Sequence, residues 1–344
     1  MSMKIVYCNR EHSQLWDSFL QNHESASFYH LFGWKEINER SFGHKTFYLA
    51  AMDGKRVLGV FPMVYVKSRL FGRILCSMPF VNFGGPCSLN AETENLLLQE
   101  AISIVNKYHV DYLEIRGLYK LDKTLPTSEH KISLTIELSS DPEIIWKAFS
   151  TKHRNDIRRA YKKGLEIKVG GYDMLDVFYK VLSESWRDLG TPIYKKKYFE
   201  DIVAGFPDMI KIFVVYHQDV PVATAFNGYY KNTVEGMWAG ILTKFRQLHP
   251  TYVLYWEMIR HACKNGFTNY HLGRTSVHSG GEFFKKKWHA ETKQLYWQYY
   301  MNGTEQIPQL NVQNPKYHFA INVWRKIPIK LTELIGPSIA RCIP

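Results

Sequence analysis

Two stretches of the chain carry the same succession of hydrophobic patterns. In the first, apolar runs at residues 46–51 and 57–66 flank an Asp-Gly dipeptide, which is typical of a tight hairpin turn. An amphipathic helical pattern follows at 94–108, and a further apolar run lies at 111–116. The periodicity therefore predicts a β-hairpin, then a helix, then a closing strand.

A second stretch repeats this succession. Apolar runs at residues 209–216 and 220–230 predict another hairpin, the pattern at 252–265 predicts a helix, and the run at 269–274 predicts the closing strand. Both closing strands place an arginine four residues after a tyrosine. A repeated order of elements indicates two domains of similar build. We therefore predict an α/β (α+β) fold with two tandem domains and mixed, mainly antiparallel central sheets.

The domain limits follow from the positions of these stretches. The first predicted domain occupies residues 1–140, and the second, which carries the candidate chemistry, occupies 141–310. A C-terminal extension at 311–344 alternates Ile and Leu with Lys and Arg and is interrupted by prolines. This pattern predicts packing against the main body, with contact to a membrane surface as the alternative.

Charge and composition narrow the functional classes. The 344 residues include 44 Lys or Arg and 32 Asp or Glu, a formal charge of +12 that attracts RNA, anionic lipid or phosphate-bearing small molecules. No apolar run approaches the roughly 20 residues that span a bilayer, and the chain shows no signal-peptide pattern. We therefore expect a cytoplasmic protein, with a peripheral position at the inner membrane surface as an extension of that expectation. Five scattered cysteines indicate neither a disulfide framework nor a metal site.

A basic helix is predicted between the two repeats. Asp141, followed by proline and glutamate, is a typical helix start, and the helical pattern continues up to the next glycine. Arg154, Arg158 and Lys162 follow at intervals of four and therefore share one face. This face is either a solvated surface or a site for an anionic ligand. His153, on the same helix, is expected to be solvated.

The segment at residues 269–288 has the features of a substrate site. A short strand ends at Arg274, a polar loop with Ser276 and His278 follows, and Lys285 begins a run of three lysines. Loops that leave a strand and present a fixed cation are typical places to hold an anionic or carbonyl-bearing substrate. The alternative is a surface loop whose charges are solvated.

Five motifs occur in a characteristic order. They are the basic segment KHRNDIRRAYKKG, Gly-Thr-Pro at 190–192, Gly-Arg at 273–274, Phe-Lys at 284–285, and Trp288. Together they resemble the FemAB-type transferases, which consist of two GNAT-like acyltransferase domains in tandem. The stretches at 30–43 and 59–86, with the closing WRKIP and LIGP, resemble a branch associated with bacterial exopolysaccharide and protein-sorting (PEP-CTERM) systems. The resemblance covers nearly the whole chain.

This resemblance implies transfer of an acyl or aminoacyl group to an amine of an envelope or exopolysaccharide precursor, or of a related small molecule. It implies an aminoacyl-tRNA or acyl-coenzyme A donor, no tightly bound cofactor, and an anionic acceptor that is lipid- or nucleotide-linked. By similarity, Lys285 lies beside the reacting carbonyl, and Lys35, Arg154 and Arg158 lie near acceptor phosphates. Contacts with tRNA and with a membrane surface are further implications.

Two departures from the family pattern bear on the base and the donor. The strand that reads Asp-x-Gly-Arg in the family has His271 in place of the acid. The glycine-rich pyrophosphate loop of GNAT enzymes is represented only by residues 246–251, which contain no glycine. Without glycines the backbone has less room to approach a pyrophosphate at the following helix. Coenzyme A is therefore the less favoured donor.

The chemistry of acyl transfer assigns roles to two cations. A tetrahedral oxyanion needs a positioned donor, and Lys285 is the candidate, assisted by main-chain N–H groups of residues 279–281. If the lysine run is a strand, the two lysines after Lys285 point elsewhere, because neighbours alternate between faces. Arg274 is the candidate for binding a phosphate or carboxylate with its two-pronged guanidinium.

The remaining candidates each have a structural alternative. His271, Glu282 and His278 are the candidate general bases, although a histidine within a strand is typically a packed, hydrogen-bonded residue. Trp238 and Tyr194 are candidates for contacting the substrate, with a core aromatic and turn architecture as their respective alternatives.

Two other functions fit the same sequence. One is an acyl-coenzyme A-dependent N-acyltransferase of the GNAT type. The other, of a different class, is a non-catalytic RNA- or lipid-binding module that keeps the fold and uses the basic face.

Overall fold

The computed structural model describes residues 3–68, 72–303 and 315–344 of the chain. Contacts divide the chain into two compact units. The first unit comprises Met1–Ile132, Lys293–Gln309 and Arg341–Pro344, and the second comprises Ser133–Thr292 and Leu310–Ala340. The units are interleaved along the chain, whereas the sequence suggested consecutive segments. The predicted boundary at residue 310 lies outside the described residues.

The strands of both units are short to medium in length. In chain order they are β1 Lys4–Tyr7, β2 Lys45–Asp53, β3 Arg56–Ser68, β4 Gly72–Cys76, β5 Cys87–Ser88, β6 Tyr112–Gly117, β7 Thr127–Ser128, β8 Lys131–Glu137, β9 Leu165–Gly170, β10 Ile210–His217, β11 Val220–Tyr230, β12 Thr233–Ile241, β13 Asn269–Ser276, β14 Glu291–Gln294 and β15 Tyr296–Met301.

The helices fall between these strands and at the C-terminus. They are α1 Ser13–Gln21, α2 Gly33–Phe42, α3 Ala91–Lys107, α4 Pro142–Ala148, α5 Thr151–Tyr161, α6 Leu175–Leu189, α7 Lys196–Gly205, α8 Pro250–Lys264, α9 Gly280–Lys286, α10 Pro315–Trp324 and α11 Ile329–Ala340. Short 3₁₀ helices lie at Arg10–His12, Phe28–His30, Tyr172–Met174 and Thr243–Leu248.

The first unit contains a mixed sheet in the order β1-β2-β3-β4-β6-β15-β7, with β5 beside β3. The predicted hairpin is the antiparallel pair β2–β3, and β4 and β6 are parallel. A parallel pair needs a crossover, which α3 supplies. Helix α3 buries the side chains of Leu97, Ala101, Ile104 and Val105 against the sheet, in agreement with the period that predicted it.

The second unit repeats this arrangement. Its sheet has the order β14-β8-β13-β12-β11-β10-β9, in which the hairpin β10–β11 and the pair β11–β12 are antiparallel. The last two strands of the repeat, β12 and β13, are parallel and connected through α8. Each predicted repeat is therefore present, with one more strand between hairpin and helix than the sequence pattern indicated.

The basic segment forms two helices where the sequence pattern predicted one. The side chain of Asp141 accepts a hydrogen bond from the Glu143 N–H and starts α4, as predicted. Phe149 then adopts an extended conformation, and Ser150 caps a second helix, α5, through the N–H of His153. Phe149 is buried, so the break between the helices is set by packing. The expectation that His153 is solvated is wrong, because its side chain is buried on α5.

The C-terminal helices pack on α6, as the sequence predicted for this extension. Glu333 of α11 accepts a hydrogen bond of 2.7 Å from Ser183 of α6, and Arg187 donates to the carbonyl of Ile327. On α11, the side chains that face inward are small, and they include Thr332 and Ala340. Small residues allow the two helices to approach closely.

The close approach of α10 to the end of α6 rests on Gly190. This residue caps α6 with a φ of 82°, and a Cβ at this position would lie 3.2 Å from the Cβ of Ile321 and would overlap its methyl group. Gly164 has a similar φ of 70° but open space around it. We expect Gly190→Ala to destabilise the protein by about 1–3 kcal/mol more than Gly164→Ala. Both variants strain the backbone, and only Gly190→Ala adds the overlap with Ile321. Thermal unfolding of the two variants measures the difference, and equal midpoints would contradict the assigned packing of α10.

Candidate functional site

The candidate site lies where the parallel strands β12 and β13 cease to pair. Their ladder covers only Thr233–Asn269, Val234–Tyr270 and Glu235–His271, although β12 continues to Ile241 and β13 to Ser276. The register between β11 and β12 shifts just after this point, which makes Met237 an extra residue in β12. Bulges of this kind redirect a strand and are frequent beside active sites. Beyond Glu235–His271, the two central strands continue without a ladder between them.

A buried acid and a buried histidine mark the last pair of this ladder. His271 Nδ1 lies 3.1 Å from Glu235 Oε2, and both side chains are shielded from solvent. The next residue in β12 is Gly236, where a Cβ would lie 2.9 Å from the carbonyl oxygen of His271. The glycine therefore permits the close approach of the strands immediately after the last pair of their ladder. Carboxylate–histidine contacts orient an imidazole ring for proton transfer.

Lys285 is buried at the far end of β13. Its side chain is 9% exposed, and its Nζ donates to the carbonyls of Gly273 and Arg274 at 2.7 and 3.1 Å. Gly273 has a φ of 76°, a left-handed conformation that a glycine adopts without strain. Burial, reinforced by the positive charge of Arg274, lowers the pKa of Lys285 from 10.5 to about 7. A lysine with such a pKa is only partly protonated at neutral pH.

The segment that carries Lys285 is the short helix α9, so the alternative that it forms a strand is wrong. Ser279 caps the helix by accepting from the Glu282 N–H at 3.3 Å, and the Glu282 carboxylate accepts from the His278 N–H at 2.6 Å. The arrangement differs from a capping box in that Glu282 bonds the N–H of the residue before the cap, and not that of Ser279. Lys286 bonds Glu282 one turn earlier, which lowers the pKa of that carboxyl group. Helical geometry, and not strand alternation, separates Lys285 from its two lysine neighbours.

An aromatic cluster holds α9 against α8 and α5. Trp288 is fully buried, and its ring centroid lies 4.5 Å from that of His153, 5.6 Å from Tyr255 and 6.3 Å from Tyr252. Burial lowers the pKa of His153 to about 4, so this ring is neutral at pH 7. The packing of Trp288, three residues after Lys285, therefore fixes the position of Lys285. Phe284, immediately before Lys285 in sequence, also contacts Tyr252 and Tyr255.

A cationic groove lies between the end of α5 and the start of α8. It has a volume of about 380 Å³, and its lining residues are Asp156, Arg159, Lys162, Lys163, His249 and Tyr252. Lys163 donates to the Gln247 carbonyl and so ties α5 to the 3₁₀ helix before α8. Helix α8 begins with Pro250 and has no side-chain cap, and the positive end of its dipole lies at this groove, which His249 and Tyr252 line. This combination suits a phosphate group.

The structure brings six of the predicted site residues into one strand-loop-helix segment of the second unit. They are His271, Arg274, Ser276, His278, Glu282 and Lys285. Arg154 and Arg158 lie on α5, where Arg154 donates to the Lys147 carbonyl at 3.0 Å and Arg158 lies over the Trp146 ring. Both therefore contribute to the α4–α5 corner and do not line the cationic groove.

The two aromatic candidates lie together elsewhere in the second unit. Trp238 of β12 is buried, and its ring centroid lies 6.5 Å from that of Tyr194 and 5.1 Å from that of Phe199. The Tyr194 carbonyl accepts a hydrogen bond from Tyr179 at 3.0 Å. These contacts show that each ring has a packing role, and their contact with substrate stays a prediction.

Lys35 belongs to the first unit. Its Nζ donates to Glu39 and, at 2.7 Å, to Thr46 Oγ1, and only 15% of its side chain is exposed. The proposed contact of this lysine with acceptor phosphates stays a prediction.

The first unit has an equivalent strand junction, but its own chain fills it. The parallel ladder β4–β6 also ends after three pairs, at Cys76–Glu114. Beyond it, the N–H of Ser77 donates to the Glu114 carbonyl at 2.9 Å, and the N–H of Gly84 donates to the Arg116 carbonyl at 2.8 Å. The loop from Ser77 onward thus continues the hydrogen bonds to β6 beyond the end of the ladder.

Two functional features were missed in the sequence. Glu235 was not singled out, although a glutamate inside the apolar run TVEGMWAG is the kind of signal that reveals a buried acid. The groove was missed because Lys162 and His249 are 87 residues apart, and only the fold places their segments together.

Comparisons with known proteins agree with this geometry. Residues 151–286 match the model for the acetyltransferase (GNAT) domain. No curated protein sequence matches the chain. In fold, the chain is similar to FemX, with a TM-score of 0.64 and 15% identity over 86% of this chain and 97% of that chain.

Two further solved structures share the fold. A tandem GNAT protein from the clavulanic acid biosynthesis pathway has a TM-score of 0.54 and 8% identity, covering 89% of this chain and all (100%) of that chain. L-PGS from Bacillus licheniformis has a TM-score of 0.52 and 12% identity, covering 88% and 96% of the two chains. The predicted fold class, two tandem GNAT-like domains with mixed sheets, is confirmed. The domain match supports an acyltransferase in general terms.

Two features of the described residues concern membranes and metal ions. None of the helices in this part of the chain has the length and apolar content needed to cross a bilayer. Across the same residues, no group of three or more His, Cys, Asp and Glu side chains has an arrangement that would hold a metal ion.

Proposed function

We propose that the protein transfers an acyl or aminoacyl group to a primary amine, and that the reaction takes place beside β12 and β13, beyond their last ladder pair Glu235–His271. The observation that carries this proposal is Lys285, a buried ammonium held by two carbonyls at the end of β13. The GNAT-domain match over residues 151–286 supports the same region.

The proposed chemistry begins with attack of the amine nitrogen on the donor carbonyl. A new C–N bond forms, the carbonyl oxygen becomes an oxyanion, and the bond to the leaving oxygen or sulfur then breaks. Lys285 uses two of its three N–H donors on Gly273 and Arg274, so the protonated side chain keeps one for the oxyanion. A preorganised donor in a site shielded from water stabilises such a charge by about 3–4 kcal/mol.

The attacking amine must also lose a proton. The pair His271–Glu235 lies at the last paired position of the same two strands, and it supports a route in which the imidazole accepts this proton. Glu235 then stabilises the imidazolium by its negative charge. The proton finally passes to the leaving group, which departs as an alcohol or a thiol. The Glu282 carboxylate is engaged by the His278 N–H and by Lys286, which favours His271 over it as the base.

The donor carries phosphate in either leading version of the function. We propose that the groove of Arg159, Lys162, Lys163, His249 and Tyr252 holds a phosphodiester or pyrophosphate of that donor. Aminoacyl-tRNA is the favoured donor, because the segment before α8 is a 3₁₀ helix without the glycines that let a backbone wrap a pyrophosphate. Acyl-coenzyme A is the second candidate, and the match to an acetyltransferase domain favours it. The proposed acceptor is an amine of an anionic, lipid- or nucleotide-linked envelope or exopolysaccharide precursor.

The test is to incubate the protein with charged tRNAs and with acyl-coenzyme A molecules, each with primary amines and amino sugars as acceptors. Mass spectrometry records which donor loses its acyl group. We expect consumption of a charged tRNA, and we expect Lys162→Glu to raise the KM for that donor about five- to tenfold with little change in kcat.

Lys152→Glu is the matched control, since Lys152 lies exposed on the same helix but does not line the groove. Consumption of acyl-coenzyme A alone would replace the favoured donor by the second. If no donor is consumed and binding to RNA falls steeply with salt, the protein is a binding module and the proposed transfer is wrong. If a donor is consumed and both variants behave alike, transfer stands and the groove assignment fails.

A further inference from the structure

The C-terminal helices have an inner and an outer face of different character. On α11, Thr332, Gly336 and Ala340 are buried at intervals of four, and Gly336 meets the main chain of Ile193. The only acidic side chain of residues 315–344, Glu333, is bonded to Ser183 of α6. The inner face is therefore fixed to the body of the second unit.

The outer face of α11 is apolar and exposed. Leu334 is 72% exposed, and Leu331 and Ile335 are 50% and 42% exposed at helical spacing from it. On α10, Phe319 is 77% exposed and Val323, one turn later, is 44% exposed. Single exposed apolar residues are ordinary, but three on one helical face, with an exposed pair on the preceding helix, are typical of a binding surface.

Basic residues accompany this apolar face. Arg325 and Lys326 lie exposed between the helices, and Lys330 lies exposed in the first turn of α11. Residues 315–344 contain five Lys or Arg and one acid, a formal charge of +4. Since the single acid points inward, cations dominate the outer charge.

We propose that this C-terminal surface, formed by α10, α11 and the residues between them, docks the protein on an anionic lipid bilayer. Leucine, isoleucine and phenylalanine side chains enter the interface, while the lysines and arginine meet lipid phosphates. The charge and the apolar side chains together favour a lipid bilayer over a second copy of the chain or RNA. A second copy of the chain would bring the same cations together, and RNA would leave the exposed leucines unburied. This inference is independent of the transfer reaction.

Vesicle flotation tests the docking with the full-length protein. We expect binding to vesicles of phosphatidylcholine mixed with phosphatidylglycerol, and little binding to phosphatidylcholine alone. Leu334→Glu should lower the partition coefficient at least about tenfold, because it removes an inserted side chain and adds a like charge. Lys326→Glu and Lys330→Glu should each lower it about fivefold or more, and added salt should reduce these effects.

The matched controls are Leu89→Glu and Lys55→Glu, which alter an exposed leucine and an exposed lysine of the first unit. Both should bind vesicles like the wild type, and unchanged thermal midpoints confirm that all variants are folded. The proposal is overturned if Leu334→Glu binds as the wild type does, or if the controls lose binding equally. It is also overturned if the wild type binds no vesicles and sedimentation shows a dimer that Leu334→Glu dissociates.

Discussion

Lys285→Met should lower the rate of acyl transfer by about 10²–10³-fold while leaving the protein folded. Methionine is unbranched and only one atom shorter than lysine, but it removes the positive charge and its three N–H donors. If the ammonium stabilises the oxyanion, its loss raises the barrier of the chemical step by about 3–4 kcal/mol. We expect the change in kcat, measured in single turnovers with the donor identified above, and little change in KM for the donor.

The pH profile separates this chemical role from a structural one. The pKa of Lys285 is lowered to about 7, so the donating ammonium is depleted as pH rises above that value. We expect the ratio of the wild-type rate to the Lys285→Met rate to fall up to about tenfold per pH unit above pH 7. Ionisation of the substrate amine affects both proteins equally and cancels in this ratio.

Lys287→Met is the control for this experiment, because Lys287 lies two residues later and is exposed. It should keep the wild-type rate and profile. A Lys285→Met protein with full activity would contradict the role of Lys285 in stabilising the oxyanion. A variant that is slow by the same factor at every pH would show that Lys285 acts only by tying down the carbonyls of Gly273 and Arg274.

The repeated elements could be predicted because their signals are local. The period of residues 94–108 and the Asp-Gly turn before Arg56 depend only on neighbours in the chain, and both appear in the structure as expected. The third strand of each repeat, such as β12, was not predicted from the sequence. Glycines and the buried Glu235 interrupt its apolar run, and its place in the sheet comes from β11.

The error at α9 has an identifiable cause. Ser279 and Glu282 have the Ser-x-x-Glu spacing of a capping box, which is a helix-start signal. Two glycines between them and the aromatic pair after them favour other structures, so the local preferences conflict. Packing of Trp288 against α8 and α5 resolves that conflict, and such contacts between distant segments are invisible in the sequence.

The candidate site was located by residue type, but its chemistry depends on burial. A lysine after two phenylalanines suggests a positioned cation, and the structure shows how it is held, through the carbonyls of Gly273 and Arg274. The low pKa of Lys285 arises from removal of solvent, a property of the folded chain. The acid that the strand lacks at position 271 is present on the neighbouring strand as Glu235, beside His271.

The same buried lysine should make the stability of the protein depend on pH in the alkaline range. In the unfolded chain Lys285 has a pKa near 10.5, and in the folded protein it is about 7. Between these values the unfolded state binds more protons than the folded state, so the free energy of unfolding rises with pH. Below pH 7 both states are protonated, and the full cost of burying the charge is present.

Thermal unfolding of the wild type and of Lys285→Met at pH 7 and pH 9 measures this effect. We expect the wild type to gain about 2 kcal/mol relative to the variant over this interval, a relative shift of several degrees in the midpoint. The comparison is taken as a difference because other groups titrate equally in both proteins. Lys287→Met should follow the wild type, since Lys287 is exposed and its side chain is not buried on folding. Parallel midpoints for the wild type and Lys285→Met would show that the ammonium ionises as a solvated lysine does, and the fall in transfer rate above pH 7 would then lose its physical basis.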